Sequence, residues 1–323
     1  MKPISPGLVS PPGLSLLKEL GGRGSMSLVE RKRKHTFQQQ TLGIIFIIPT
    51  VVFLLVFVVY PVLFNIFLSF TNARLLGKEF SIIGLDNYIK LFSDLRFLQY
   101  IKNTLVWTAA SVAGQLILGL ALALLVSRKD SGTALRSFLL VPYVVPAVAI
   151  ALVTKWIMNG DYGIISWWFQ RLGLIEHRQS LLALPGSSMA VLVVINVWRS
   201  YPFPMLIYWA TLKGIEKEMY EAASVDGAGS FQSFFHITLP HLKDTTIVLL
   251  VLRIVWTATY FDLPWLITGG GPAGSTTHLP IMIYQASFGT FRTGYASSIS
   301  MLLGLSLFIC VVFYVRKSIA EDL

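Results

Sequence analysis

Residues 42–70 read LGIIFIIPTVVFLLVFVVYPVLFNIFLSF, a run of 29 positions without one charged side chain. A bilayer core about 30 Å thick is crossed by roughly 20 helical residues. The run therefore exceeds one straight crossing, and Pro49 and Pro61 within it predict tilt or a kink. It is not read as a cleavable signal, because it is too long and a largely polar stretch precedes it.

Five more apolar stretches follow, near 104–126, 137–158, 189–211, 245–267 and 297–315. The predicted fold class is an all-α membrane protein with six transmembrane helices. Composition agrees: of 323 residues, 54% are apolar and only 13% are Asp, Glu, Lys or Arg, against about 25% in soluble domains. A soluble enzyme, a disordered tail and a nucleic-acid binder are disfavoured by that shortage of charge. The single cysteine, Cys310, excludes an intrachain disulfide, and the five histidines show no metal-ligand spacing, so no metal site is expected.

The net charge of +10 is placed as membrane topology requires. With the N-terminus in the cytoplasm, the inside segments 1–41, 127–136, 212–244 and 316–323 hold 15 basic residues and the outside segments hold 8. The bias is concentrated in Arg31-Lys32-Arg33-Lys34 and Arg316-Lys317, which flank the first and last spans. Residues 1–40 then read as a mobile basic tail, with Met26 as a candidate start. Residues 41–317 are the six-span domain, and 318–323 a short cytoplasmic tail. Between two spans, YGIISWWFQRLG (162–173) reads as an interfacial helix anchored by Trp167 and Trp168. A sugar-stacking role for that pair stays open.

The inside loop 212–244 breaks the basic trend, with five acids against three lysines. It is also apolar, and it divides into two predicted short helices. One covers Lys217 to Ala223; the other starts at a capping Ser230 and is halted before Leu239-Pro240. Asp226-Gly227 marks a turn between them. A displayed apolar knob points to a protein contact; the plainer alternative is a re-entrant or surface-lying loop.

Within this loop, Glu221-Ala222-Ala223, Gly227, Ile237, Leu239 and Pro240 reproduce the E-A-A-x3-G-x9-I-x-L-P pattern of ABC-importer permeases. YEAASVDGAGSFQSFFHITLP (220–240) and FDLPWLITGGGP (261–272) resemble the carbohydrate-uptake branch, the relatives of maltose permeases. The resemblance covers most of residues 41–317. It implies the type I ABC importer permease fold, in the bacterial inner membrane, with both termini cytoplasmic. In that family the loop seats in a cleft of a cytoplasmic ATPase. Glu221 would carry the charged contact, Ala222 and Ala223 the close-packed face, and Asp226 and Gly227 the turn. Ile237, Leu239 and Pro240 would complete the loop. The implied partners are a second homologous permease, two ABC ATPase subunits and an extracytoplasmic solute-binding protein. The chain has no G-x-x-x-x-G-K-[ST] loop, so ATP and Mg are expected on the partner ATPase and no cofactor on this chain.

Charges inside spans are functional suspects by default, and Lys155, Arg199, Arg253 and Asp262 stand out. Snorkelling or backbone capping is the simpler account of Lys155 and Arg199, which lie near span ends or prolines. Arg253, Trp256, Thr257 and Tyr260 share one face of the fifth span at i, i+3, i+4 and i+7. Rings there can stack on sugar C–H faces while Arg and Thr bond hydroxyls or carboxylates. The alternative is a bundle-facing seam, with Arg253 paired to Asp262 or to a sister subunit. The family resemblance places a midplane sugar site on Phe203, Trp256, Thr257 and Tyr260, with Pro202 and Pro204 breaking the helix beside Phe203. A neutral oligosaccharide, an acidic one of the alginate type and a glycerol phosphate all remain open. A self-sufficient secondary transporter is the runner-up class; it would be expected to carry in-span acids, of which Asp262 is the only one. No catalytic constellation is present for a membrane enzyme.

Overall fold

The computed structural model describes residues 46–321, apart from 78, 129–132 and 176. The predicted basic tail and the last two residues lie outside the described residues. The chain divides into two compact units between Phe64 and Asn65. The first unit's described residues, 46–64, are helical and exposed throughout, as a lipid-facing segment requires.

That helix, α1 (Phe46–Ser69), continues into the second unit. The second unit then adds α2 (Asp86–Ser93), α3 (Leu95–Arg128), α4 (Thr133–Val144), α5 (Ala147–Ile157) and α6 (Ile164–Arg171). After these come α7 (Pro185–Ser200), α8 (Pro202–Lys213), α9 (Lys217–Val225), α10 (residues 230–241) and α11 (Lys243–Ala258). α12 (Asp262–Thr268), α13 (Leu279–Tyr284) and α14 (Thr293–Glu321) complete it. Among the described residues there is no strand, only one isolated bridge between Thr71 and Ile82.

Three helices, α1, α3 and α14, are each long and apolar enough to cross a membrane; the number rises to six if each of three bent pairs is one crossing. The pairs α4–α5, α7–α8 and α11–α12 bend by 86°, 44° and 43°. Apolar runs read as single spans are thus interrupted, and the residues say why. Pro146 caps α5 in an extended conformation, Pro202 opens α8, and the backbone at Thr259–Phe261 leaves the helix before Asp262 restarts it. Proline removes a backbone donor from the helical ladder, although Tyr201, just before Pro202, itself stays in the helical region.

Not every proline breaks a helix. Pro61 and Pro240 are both carried inside continuous helical runs, and each lies two residues after a π turn, Leu55–Val59 and Phe234–Thr238 respectively. The wider turn bonds Tyr60 N to the Leu55 carbonyl and Leu239 N to the Phe234 carbonyl, which relieves the ladder where proline has no N–H. Two expectations are corrected here. The second loop helix is not halted before Leu239-Pro240 but runs to His241, and its N-cap is Gly229 rather than Ser230. Gln232 Oε1 accepts the Gly229 N–H at 2.9 Å in place of a serine cap.

α3 is the axis of the second unit and packs on α7, α8 and α11. Gly119 permits a close approach to backbone: a Cβ there would stand 2.9 Å from Pro204 Cβ and 3.0 Å from Met205 N. Trp107 of α3, Leu192 of α7, Ile150 of α5 and Leu263 and Ile267 of α12 share one buried cluster. A second cluster joins Ala123 to Tyr201, Met205, Tyr208, Leu242 and Leu249. These clusters fix where the three breaks fall relative to one another.

Candidate functional site

The C-terminal ends of α4, α7 and α11 converge. Tyr143 is in the last turn of α4, Asn196, Arg199 and Ser200 in the last turn of α7, and Arg253, Trp256 and Thr257 in the last two turns of α11. With Tyr260, they line one cavity of about 170 Å³. Broken helices are tolerated in a bilayer where they face protein or a polar cavity. Three helix C-termini also bring partial negative charge, which favours cations in their last turns. That favours Arg199, in the last turn of α7; Arg253 lies more than a turn before the end of α11, and among the described residues no carboxylate lies within ion-pair distance of either.

Arg253 is buried, and its Nε donates to Gln115 Oε1 of α3 at 2.7 Å. The suggested pairing of Arg253 with Asp262 does not occur; Gln115 takes that position, and Asp262 is an exposed first-turn acid of α12. The Arg253 guanidinium lies 5.7 Å from the Trp256 ring centre, and that of Arg199 lies 5.4 Å from the Tyr260 ring centre. Phe203, in the first turn of α8, stands 5.2 Å from Trp256, centre to centre, and supports its ring without lining the cavity. Lys155 is elsewhere: it is exposed in the last turn of α5, where the helix dipole favours it. The stripe at 253, 256, 257 and 260 thus stays together, joined by Arg199.

The break between α11 and α12 is held from two sides. Trp107 Nε1 donates to the Thr257 carbonyl at 2.9 Å, and His278 Nε2 meets the Tyr260 carbonyl at 2.8 Å. The two rings are 5.8 Å apart. Asn103 Nδ2 binds the carbonyls of Gly274 and Thr277 at 3.0 and 2.8 Å, tying α3 to the turn that follows α12. Burial pushes the His278 imidazolium below its ordinary pKa, so at neutral pH the ring is uncharged.

Sequence reading missed Gln115, Asn196, Ser200 and Tyr143. A signal was available for the first. Thr104, Thr108, Ser111 and Gln115 recur at i, i+4, i+7 and i+11 in an apolar span, and all four are buried. Asn196 and Ser200 share a face in the same way.

At the opposite end of α8, α9 and α10 form the loop that carries Glu221. No residue of α9 is fully buried, and Glu221 and Ala222 are exposed while Ala223 is half-buried. Asp226 closes α9, and Gly227 follows at φ +83°, a conformation glycine adopts at little cost. Tyr220 and Thr238 hydroxyls meet at 2.9 Å and pin α9 to α10. Ile237 packs inward, whereas Leu239 and Pro240 stay exposed. Val225 and Phe231 are 88% and 76% exposed, an apolar display suited to a partner. The predicted interfacial helix is α6, with Trp167 and Trp168 at its exposed side.

Residues 115–321 match the family described as the inner membrane component of binding-protein-dependent transport systems. The chain is 32% identical over 269 residues to the probable ABC transporter permease protein YurN of Bacillus subtilis, covering 82% of this chain and 92% of that one. It is 33% identical over 286 residues to the sulfoquinovosyl glycerol transport system permease protein SmoG of Agrobacterium fabrum (87% and 91% covered). It is also 33% identical over 268 residues to the trehalose/maltose transport system permease protein MalF of Thermococcus litoralis (82% and 90%). A crystal structure of a bacterial ABC transporter that imports the acidic polysaccharide alginate contains a chain of the same fold. Its TM-score is 0.77 at 24% identity, with 89% of this chain and 98% of that one covered. The chain belongs to this family of transport permease subunits.

Proposed function

We propose that this member of the binding-protein-dependent permease family translocates a sugar or oligosaccharide as one subunit of an ATP-driven importer. It crosses the bacterial inner membrane six times, each bent pair counting as one crossing, with both termini in the cytoplasm. The partners are a second permease of the same kind, two cytoplasmic ATPase subunits that bind ATP and Mg, and an extracytoplasmic binding protein that delivers the substrate. The observation that carries the sugar reading is the cavity at the three helix breaks. It combines ring faces from Trp256 and Tyr260 with donors from Arg199, Arg253, Asn196 and Thr257. Apolar C–H faces of a sugar stack on rings while its hydroxyls take the donors. Sugar-transporting relatives support that substrate class.

The exposed α9–α10 loop is the contact for the ATPase. Glu221 offers the charge, Ala222 and Ala223 the small surface for close approach, and Gly227 the reversal of chain direction. Ile237 anchors the loop from inside, and Leu239 and Pro240 continue its outer face. Closure of the ATPases would push this loop. Through Tyr220–Thr238 and the clusters along α8 and α11, the push would reach the helix breaks and alternate the access of the cavity.

Detergent-extracted protein is expected to bring an ATPase and another permease chain with it. In nanodiscs, ATP hydrolysis by that complex should be stimulated by binding protein loaded with its glycoside. Trp256→Ala should raise the KM for the glycoside about tenfold, in line with about 0.5–1.5 kcal/mol for an aromatic pair plus lost stacking area. Uptake by the lone chain into liposomes without ATP would refute the reading.

A further inference from the structure

We infer that Gln115 is a positioning residue of the cavity: its neutral carboxamide orients the Arg253 guanidinium and leaves the positive charge uncompensated for the transported solute. The inference rests on the sugar-site reading above.

Gln115 lies on α3, fully buried, and is 138 positions from Arg253 in the chain. A guanidinium has donors only, so the carbonyl oxygen of the amide must face Arg253 Nε. The contact, at 2.7 Å, is in the short range of charge-assisted bonds. It engages Nε, and the guanidinium carbon lies 5.7 Å from the centre of the Trp256 ring, which lines the cavity with it. The residue type is informative. A carboxylate at position 115 would accept the same bond and neutralise Arg253, which is the common solution for a buried cation. The amide instead accepts the bond without cancelling the charge. Among the described residues no acid lies within ion-pair distance of Arg253, and it stands more than a turn before the end of α11, so the Gln115 amide is the side chain that meets its charge. Arg199 Nε, Asn196 Nδ2, Thr257 Oγ1 and Tyr260 Oη are buried polar atoms with no protein partner in the same place. A site with charged and neutral donors and no acid is built to be completed by oxygen-rich ligands, hydroxyls or carboxylates.

Gln115→Glu separates orientation from charge, because it keeps the acceptor and adds the counter-charge. In the reconstituted complex, Gln115→Glu should raise the KM for glycoside-stimulated ATP hydrolysis about tenfold or more, with kcat within about threefold and the melting midpoint unchanged or higher. Gln115→Leu, which removes the acceptor, should raise KM by a similar factor and lower the midpoint. Wild-type KM in Gln115→Glu, with a lowered midpoint alone in Gln115→Leu, would mean a purely structural bond and overturn the inference. If Gln115→Leu does not assemble, Gln115→Glu decides. If no glycoside stimulates the wild-type complex, the sugar reading falls instead. The Gln115–Arg253 contact is then judged by a double cycle of Gln115→Leu and Arg253→Met on the melting midpoint. Non-additive shifts would uphold the orienting contact, and additive shifts would overturn it.

Discussion

Breaking α11 after Ala258 frees backbone carbonyls in a setting poor in water, and the chain answers with two aromatic donors from distant segments. Trp107→Phe keeps most of the ring volume and removes one donor, the indole N–H that meets the Thr257 carbonyl at 2.9 Å. That carbonyl retains a weaker contact from Tyr260 N at 3.2 Å, so the loss falls short of complete orphaning. The expected cost is about 1–3 kcal/mol, the penalty for a buried acceptor deprived of its better partner. Local opening should then be roughly 5- to 150-fold more populated, at about 1.4 kcal/mol per factor of ten. His278→Phe should act likewise on the Tyr260 carbonyl. Because the two rings stand 5.8 Å apart, the double variant should depart from additivity. Hydrogen–deuterium exchange of peptides covering 258–268, in nanodiscs, reads the effect, with peptides from the middle of α14 as the internal reference. Wild-type exchange at 258–268 in Trp107→Phe would refute the capping argument. So would equal acceleration in α14, which would signal global destabilisation.

The pH dependence follows from the same ring. With its folded pKa held below the ordinary value of about 6.5, His278 favours the folded state above that pH. As the pH falls below it, the unfolded chain takes up a proton that the folded chain refuses, and stability declines towards the folded pKa. His278→Gln should flatten the fall in melting midpoint below about pH 6.5; an unchanged slope would exclude this histidine as its source. Gly119→Ala should destabilise by up to about 2 kcal/mol, overpacking of roughly 1–3 less a helix-propensity gain near 1, because its Cβ would press on Pro204 and Met205 backbone. Gly304→Ala meets nothing within 4 Å and should be neutral or stabilising by up to about 1 kcal/mol, a contrast that differential melting can check. Glu221→Lys and Gly227→Pro should uncouple ATP hydrolysis from uptake while the chain still assembles. Glu221 is exposed, and proline cannot adopt the φ of +83° at position 227. Wild-type coupling in both variants would remove the loop from the ATPase contact.

The amino-acid sequence alone determined the solvent, the approximate place of each apolar helix, and the stripe of Arg253, Trp256, Thr257 and Tyr260. Those are local properties: hydrophobic length, and a period of 3.6 residues that puts four side chains on one helix face. It also located the loop around Glu221 and the turn at Gly227, since glycine and small residues carry their conformational meaning with them. What a proline would do was not local. Pro202 and Pro146 accompany bends, whereas Pro61 and Pro240 pass beside π turns and Pro142 passes inside α4, and which of these happens depends on the surrounding backbone. Nor could periodicity bring Gln115 to Arg253, or Trp107 and His278 to the carbonyls of one break. Those partners lie 138, 150 and 18 positions apart and meet only when α3, α11 and the segment after α12 pack together. A buried guanidinium without a carboxylate looks uneconomic along a single helix. Only the packing of α3 against α11, which brings a neutral amide to it, gives it a place.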